Sequence, residues 1–251
     1  MGRGAHRFGS GAAALAAAAL ALTCVSQAGA APPLEGSRLS FDLALTSDHV
    51  VHGVTRSQGE PAAQAHLGLS RDSGWLMGVW LSTVDFGFSE PRYEIDPSIG
   101  KRWLVGRDWS VRADLTRYLF RPRSQWQDYD YTELRGSVAF RDALEMAVSW
   151  APDYTGYSWL GPAYDSRMLT YEASARFPTR RWLTLTAGAG RRDLQDAFGA
   201  SYWYWSAGTE AATERLSFAV TYIGTSRKAE DLYGHEDAGD RVVATLAFRV
   251  K

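Results

Sequence analysis

The chain has 251 residues, of which 45% are hydrophobic, 13% aromatic and 22% charged, and its formal net charge is −1. This length suits one large β domain, and the lack of a basic patch argues against a nucleic-acid partner. The charged fraction is too high for a helical membrane protein. A transmembrane β-barrel tolerates it, because only alternate residues of each strand face lipid.

Residues 1–30 have the pattern of a secretory signal peptide. They combine a basic start, an Ala/Leu-rich run too short to span a bilayer as a helix, and the A-x-A site Ala28-Gly29-Ala30. We expect cleavage after Ala30, which leaves a short segment, 31–37, before a barrel domain over 38–251. Lipoprotein processing at Cys24 is the alternative, but Ala21-Leu22-Thr23 matches its Leu-small-small run poorly.

Cleavage would change the composition of the mature chain. Loss of Cys24, the only cysteine, leaves neither a disulfide nor a thiolate metal site. Removal of Arg3 and Arg7 from the 27 basic residues leaves 25 against 28 acidic residues, a net charge of about −3.

From Leu39 onward the chain repeats segments of about ten residues in which apolar and polar side chains alternate, as in membrane-spanning strands. The predicted strands cover about 39–54, 65–70, 75–86, 93–103, 109–119, 129–140, 144–150, 168–177, 182–190, 202–209, 216–222 and 242–250. We therefore predict an all-β fold, a transmembrane antiparallel up-and-down β-barrel of about twelve strands.

The breaks between these segments alternate in length. Short turns such as Asp72-Ser73-Gly74 alternate with longer breaks at 121–128, 152–166, 191–200 and 226–240, and two further breaks, near 57–61 and 87–91, are shorter. This pattern is typical of a barrel with tight turns at one rim and long loops at the other. A soluble sandwich has no reason to alternate in this way, and a lipocalin-like soluble barrel imitates it only for a few strands.

Aromatic residues are concentrated at the strand ends, which predicts one girdle at each membrane interface. The expected girdle beside the short turns contains Trp75, Trp103, Trp109, Phe140, Phe177, Trp182 and Phe248. The expected girdle beside the long loops contains Phe86, Phe88, Tyr93, Phe120, Tyr129, Trp150, Tyr202 and Trp203.

The parity of each strand predicts which residues face the lumen. In 109–116 the odd positions are apolar and the even positions polar. The same rule places a mixed set of charges inside the barrel: Glu94, Asp96, Arg112, Asp114, Glu133, Arg135, Glu145, Glu172, Arg176 and Arg249. Such a set predicts either a hydrated lumen or an interior salt-bridge network that plugs it.

The segment from Ser47 to Ser57, SDHVVHGVTRS, is similar to the S-D-Y-V-F-R-G-x-S-Q-S opening of the proteobacterial Gcw_chp group, also called TorF-type porins. Its shared motif positions include Ser47, Asp48, Gly53 and Ser57. His49 and His52 depart from the pattern, because the group usually has Tyr and Arg there. Further similarities are at 61–64, 73–75, 80–86, 93–96, 99–100 and 129–133. The resemblance implies a signal-bearing outer-membrane barrel that acts as a porin, and it supplies no catalytic residues.

No signal for an enzyme or a metal site emerges from the residues. The chain has no Gly-x-Ser-x-Gly elbow, and nothing in the spacing singles out Ser47 or Ser70 with His66 as a catalytic pair. His49 and His52 are expected on opposite faces of a strand, which is wrong for joint metal binding. We therefore predict no catalytic residue, metal or cofactor.

Three hypotheses remain from the sequence. The first is an outer-membrane channel, surrounded by lipid, for passive passage of small polar solutes or ions. The second is a non-conducting barrel whose long loops, such as Tyr154–Trp159, bind a partner or surface ligand. The third is an outer-membrane lipid hydrolase.

Overall fold

The computed structural model of the chain describes residues 36–87, 91–123, 128–158 and 161–250. In chain order the strands are β1 (Ser37–Thr46), β2 (Val50–Val51), β3 (Val54–Thr55), β4 (Ala62–Arg71), β5 (Trp75–Thr83), β6 (Tyr93–Val105), β7 (Trp109–Arg121), β8 (Tyr131–Phe140), β9 (Leu144–Ser158), β10 (Gly161–Arg180), β11 (Leu183–Leu194), β12 (Ala200–Ala212), β13 (Leu216–Thr225) and β14 (Arg241–Val250). Three short helices are α1 (Gln195–Phe198), α2 (Arg227–Tyr233) and α3 (His235–Ala238). Within these residues, no helix has the length and apolar character needed to cross a membrane.

The strands β1 and β4–β14 form one closed antiparallel barrel. β1 completes the closure, because Leu43 pairs with Ala65 of β4 on one side and with Phe248 of β14 on the other. Each of the other barrel strands pairs with its neighbours in the sequence. Closure satisfies the backbone groups of every strand, as a spanning structure requires. The prediction of a twelve-stranded up-and-down barrel is confirmed over the part of the chain that the structure describes.

The two ends of the barrel differ in their connections. At one end, the short-turn end, tight turns at 72–74, 106–108, 141–143, 181–182 and 213–215 join successive strands, and β1 begins and β14 ends there. At the other, the long-loop end, lie the connection 47–61 and the helices α1, α2 and α3. Two predicted long loops are shorter than expected, because β9 and β10 extend through most of 152–166 and β11 continues to Leu194.

The outer surface is an apolar belt produced by strand alternation. Exposed residues such as Leu43, Leu115, Leu134 and Leu246 point outward, while their sequence neighbours turn inward. Aromatic residues frame this belt. Trp75, Trp103, Trp109, Phe177 and Trp182 are exposed toward the short-turn end, and Tyr93, Trp150 and Trp203 toward the long-loop end.

Part of the predicted girdle at the long-loop end is wrong. Phe120, Tyr129 and Tyr202 are buried, and Phe86 packs against them inside the barrel. The physical reason is alternation, because Tyr202 and Trp203 are adjacent in β12 and cannot both face lipid.

The apolar belt leads to a first expected result. Leu115, in the middle of β7, is 46% exposed on the outer face, so Leu115→Arg places a charge near the bilayer midplane. We expect this change to lower the free energy of unfolding in lipid vesicles by about 2–4 kcal/mol. Val105→Arg, on the outer face at the short-turn rim, is the matched control with an expected cost of about 0–1 kcal/mol. Equal costs at the two positions would contradict the assignment of the belt.

Candidate functional site: an inner hairpin in the barrel lumen

The most unusual connection in the barrel lies between β1 and β4. Thr46 and Ala62 are direct register partners, so the two strands need only a tight turn to join them. The chain instead inserts residues 47–61, which we call the inner hairpin, and residues 48–57 of this insertion are buried or half-buried. The predicted opening strand, 39–54, is therefore wrong beyond Thr46, and the predicted short break near 57–61 is part of this longer insertion.

The tip of the inner hairpin is a two-residue turn. Val51 pairs with Val54, and the turn residues His52 and Gly53 have φ of 52° and 83°. Positive φ at both positions is the type I′ geometry that matches the twist of a hairpin. Gly53 also fits because a Cβ there would lie 3.0 Å from the Cβ of Tyr204 and would overlap the methyl group of Thr225.

Asp48 holds the base of the inner hairpin together. Its Oδ1 accepts a hydrogen bond from the hydroxyl of Thr55 at 2.5 Å and lies 2.9 Å from the hydroxyl oxygen of Ser57. Its Oδ2 accepts from Nη1 of Arg241 in β14 at 2.7 Å. Ser57 also accepts from the backbone N–H of His49, at 2.9 Å, and Ser47 exchanges hydrogen bonds with Ala244. The motif residues therefore build the hairpin and tie its base to the wall.

Arg56 makes the strongest contact between the inner hairpin and the opposite wall. Its guanidinium forms an ion pair with the fully buried Glu94 of β6 and donates a hydrogen bond to the hydroxyl of Tyr131 in β8 at 3.2 Å. The same guanidinium lies 5.4 Å from the ring centroid of Phe120 and 5.7 Å from that of Tyr118. Removing one partner of a buried ion pair typically costs about 3–5 kcal/mol, because the remaining charge is left uncompensated. We therefore expect loss of Arg56 to disturb the docking of the hairpin.

The two histidines of the inner hairpin contact different parts of the wall. His49 packs against Trp80 of β5 with ring centroids 5.1 Å apart, whereas Nδ1 of His52 lies 2.9 Å from Nη1 of Arg192 in β11. In this loop, outside the spanning strands, burial lowers the pKa of both histidines well below its usual value, and the charges of Arg56 and, for His52, Arg192 lower it further. Both imidazoles are therefore neutral at neutral pH, and His49 is no ion-pair partner for Glu94.

Aromatic side chains and helices fill the lumen around the inner hairpin. The buried layer at the long-loop end includes Tyr118, Phe120, Tyr129, Tyr131, Tyr154, Tyr202 and Tyr204. The helices of the connection 226–240 add Ala229, Leu232 and Ala238 to the same layer. The described residues thus fill much of the lumen at the long-loop end.

The lumen toward the short-turn end is different, because it is lined by paired charges. Glu145 and Arg176 are partly exposed, whereas most of their partners in this network are buried. Arg135 bridges Glu172 and Glu145, with Nη2 of Arg135 2.8 Å from Oε1 of Glu145, a side chain that is 31% exposed. Arg176 lies 3.2 Å from Glu210 in the same way and is 26% exposed. Further pairs are Arg112 with Asp114 and Arg249 with Asp42.

The structure places the ten lumen candidates on the inner side of the wall. Glu94, Asp96 and Glu133 lie beside the inner hairpin and are buried. The paired network contains Arg112, Asp114, Arg135, Glu145, Arg176 and Arg249. Glu172 connects the two groups, because it pairs with Arg135 and its Oε1 lies 3.9 Å from Nε2 of His52. Sequence reasoning missed two arginines. Arg56 belongs to the inner hairpin and contacts the wall, and Arg192 belongs to the wall and contacts the hairpin. Arg192 fell in a predicted loop, and Arg56 lay just past a presumed strand end.

Among the described residues, His49, Ser82 and Glu94 lie close together but do not form a catalytic triad. Ser82 and Glu94 both approach Nδ1 of His49, at 3.4 Å and 3.8 Å. A triad uses one ring nitrogen for the nucleophile and the other for the carboxylate, so this arrangement does not support nucleophilic catalysis.

Among the described residues there is also no group of three or more His, Cys, Asp or Glu side chains that could hold a metal ion. The expectation that His49 and His52 face opposite sides of a strand is wrong, because His52 lies in the turn.

The fold and the apolar belt define a transmembrane β-barrel, and its fold is similar to those of solved porin structures. The NanC porin aligns with a TM-score of 0.56 at 10% identity, over 85% of this chain and 99% of its own. The KdgM porin aligns with a TM-score of 0.51 at 9% identity, over 84% of this chain and 98% of its own. A KdgM structure in complex with disordered oligogalacturonate aligns with a TM-score of 0.50 at 8% identity, over 86% of this chain and 98% of its own. At these identities the similarity concerns the fold.

The chain belongs to the Gcw_chp family, described as a bacterial protein of unknown function, whose sequence model matches residues 27–251. The resemblance found in the motif at 47–57 is therefore confirmed. No curated protein matches the chain.

Proposed function

We propose that this protein is an outer-membrane channel for small polar solutes or ions, closed at the long-loop end by the inner hairpin. Export by the signal peptide at 1–30 and a surrounding layer of outer-membrane lipid belong to the same proposal. The porin-like fold supports it, and the KdgM complex with oligogalacturonate is an example of a related barrel that accepts a polar solute.

The observation that carries the proposal is the way in which the inner hairpin is docked. Its main anchors are polar: Arg56 with Glu94, His52 with Arg192, and Asp48 with Arg241. Hydrated ions and polar solutes replace such contacts more readily than they replace a continuous apolar interface. Below the hairpin, the paired network lines the lumen with charged side chains, of which Glu145 and Arg176 are partly exposed to water.

Single-channel recording in planar bilayers tests this function. We expect the wild-type barrel to be mostly closed with brief openings. Arg56→Gln removes one partner of the buried ion pair and is expected to raise the open probability roughly tenfold or more. The matched control is Arg141→Gln, which removes an exposed charge paired with Asp108 at the short-turn end and should leave the recordings unchanged. An identical current trace for wild type and Arg56→Gln would contradict the proposed gate.

A non-conducting barrel whose loops bind a partner is the second candidate. The buried aromatic layer favours it, because Tyr131, Tyr202 and Tyr204 fill the space that an open pore would need. Absence of current from every folded hairpin variant would favour this candidate over the channel. Lipid hydrolysis receives no support, since His49 presents the same nitrogen to both Ser82 and Glu94.

A further inference from the structure

The wall beside the inner hairpin carries three buried carboxyl groups, and an arginine pairs with only one of them in the part of the chain that the structure describes. Glu94, Asp96 and Glu133 lie there with relative exposures of 0%, 2% and 6%. Arg56 acts on Asp96, and Arg192 and Arg135 act on Glu133. Arg135 is already paired with Glu145 and Glu172. Arg192 is engaged by His52 and lies over the Tyr154 ring, so Arg56 alone makes an ion pair with one of the three carboxylates.

Asp96 is the clearest sign that this wall is built to receive a ligand. Neither of its carboxylate oxygens has a hydrogen-bond partner among the described residues, although the side chain is almost completely buried. One oxygen each of Glu94 and Glu133 is also without a partner. Buried carboxylate oxygens without donors are costly, so a site that keeps them is suited to a ligand that supplies donors.

Aromatic rings complete the site with the geometry that suits a flat cation. Tyr118 and Tyr131 are stacked, with centroids 4.4 Å apart and planes 15° from parallel. The Arg56 guanidinium approaches the rings of Tyr118 and Phe120 and donates to Tyr131, as a bound guanidinium ligand would do. Arg56 therefore occupies this place as a ligand carried by the chain itself.

We propose that Glu94, Asp96 and Glu133, with the rings of Tyr118 and Phe120, form a binding site for small organic cations with a guanidinium head group. Arg56 fills the site in the closed barrel, and a soluble guanidinium compound competes with it. When Arg56 leaves, the buried Glu94 loses its ion-pair partner, and an incoming cation can replace it. This inference rests on the proposed function, because it names the solute class that would displace the inner hairpin.

Equilibrium binding in detergent micelles tests the site without requiring conduction. The probe is ethylguanidinium, with its neutral isostere N-ethylurea as the control ligand, and binding is measured by isothermal titration calorimetry. In Arg56→Gln the site is vacated, so we expect its Kd for ethylguanidinium to be at least tenfold lower than that of the wild type. N-Ethylurea should not bind.

The carboxylate requirement is tested by a second substitution in the Arg56→Gln barrel. Asp96→Asn should weaken ethylguanidinium binding at least tenfold, and Glu133→Gln provides a second test if the first variant does not fold. The matched control is Asp142→Asn, which removes an exposed carboxylate in a turn at the short-turn end. A heat-modifiable gel shift reports that each barrel is folded.

The outcomes separate the site from the channel. Lack of ethylguanidinium binding by folded Arg56→Gln, or equal binding with and without Asp96, would overturn the site even if the barrel conducts. Tight, Asp96-dependent binding by a barrel that never conducts would support the site and overturn the channel.

Discussion

Replacement of the inner hairpin by a two-residue turn is expected to convert the closed barrel into a steadily open one. Thr46 and Ala62 are already register partners, so an Asn-Gly turn in place of 47–61 joins β1 to β4 without moving either strand. The change removes Arg56, His49 and His52 from the lumen together. We expect a stable single-channel current in planar bilayers where the wild type shows only brief openings.

Two controls belong to this experiment. Glu60→Gln changes only an exposed residue of the inner hairpin and should leave the wild-type recordings unaltered. A heat-modifiable gel shift of the shortened barrel shows that it has folded. A folded barrel without the hairpin that still passes no current would show that the hairpin is not the gate.

A disulfide between the inner hairpin and the wall is expected to hold the channel closed. A Cβ built on Gly53 lies 3.8 Å from the Cβ of Thr225, which is close to the average separation of about 3.8 Å in disulfides. Replacing Thr225 also removes the methyl group that would overlap the new side chain. A cysteine at position 53 must adopt the positive φ of Gly53, which costs about 1–2 kcal/mol. We expect the disulfide to form despite this strain.

The disulfide is introduced into the Arg56→Gln barrel, because this variant is expected to pass a current that the disulfide can reduce. We expect oxidation of Gly53→Cys/Thr225→Cys to reduce the current to the wild-type level or below, and reductant to restore it. The single substitution Gly53→Cys in the same background should not respond to either treatment. A current that is the same in the oxidised and reduced states would exclude movement of the hairpin tip as the opening step.

The barrel itself could be predicted from the sequence, because its strands and turns are determined by residues that are close together in the chain. Alternation along each strand fixes which side chains meet lipid, and turn residues such as Asp72-Ser73-Gly74 fix where strands end. The inward direction of Asp114 and Glu133 follows from the same parity. These features depend on near neighbours in the chain, so no knowledge of closure is needed to find them.

The inner hairpin could not be predicted in this way. Asp48 to Ser57 has enough β-branched residues to continue a strand, although the adjacent pair Val50-Val51 breaks the alternation. Its docking depends on contacts across the closed lumen, such as Arg56 with Glu94, 38 positions further along the chain. Which charges pair, and which aromatic residues fill the lumen rather than face lipid, becomes determined only when the register of all the barrel strands is set.

The most direct test of the central claim, that the inner hairpin occupies the lumen and can leave it, is thiol labelling in intact cells. Val51→Cys places a thiol at a position only 5% exposed, and Glu60→Cys places one at an exposed position of the same insertion. With a membrane-impermeant maleimide, we predict rapid labelling of Glu60→Cys and slow labelling of Val51→Cys, which becomes rapid when Arg56→Gln is added. Equal labelling of the two thiols in the wild-type background would contradict the account.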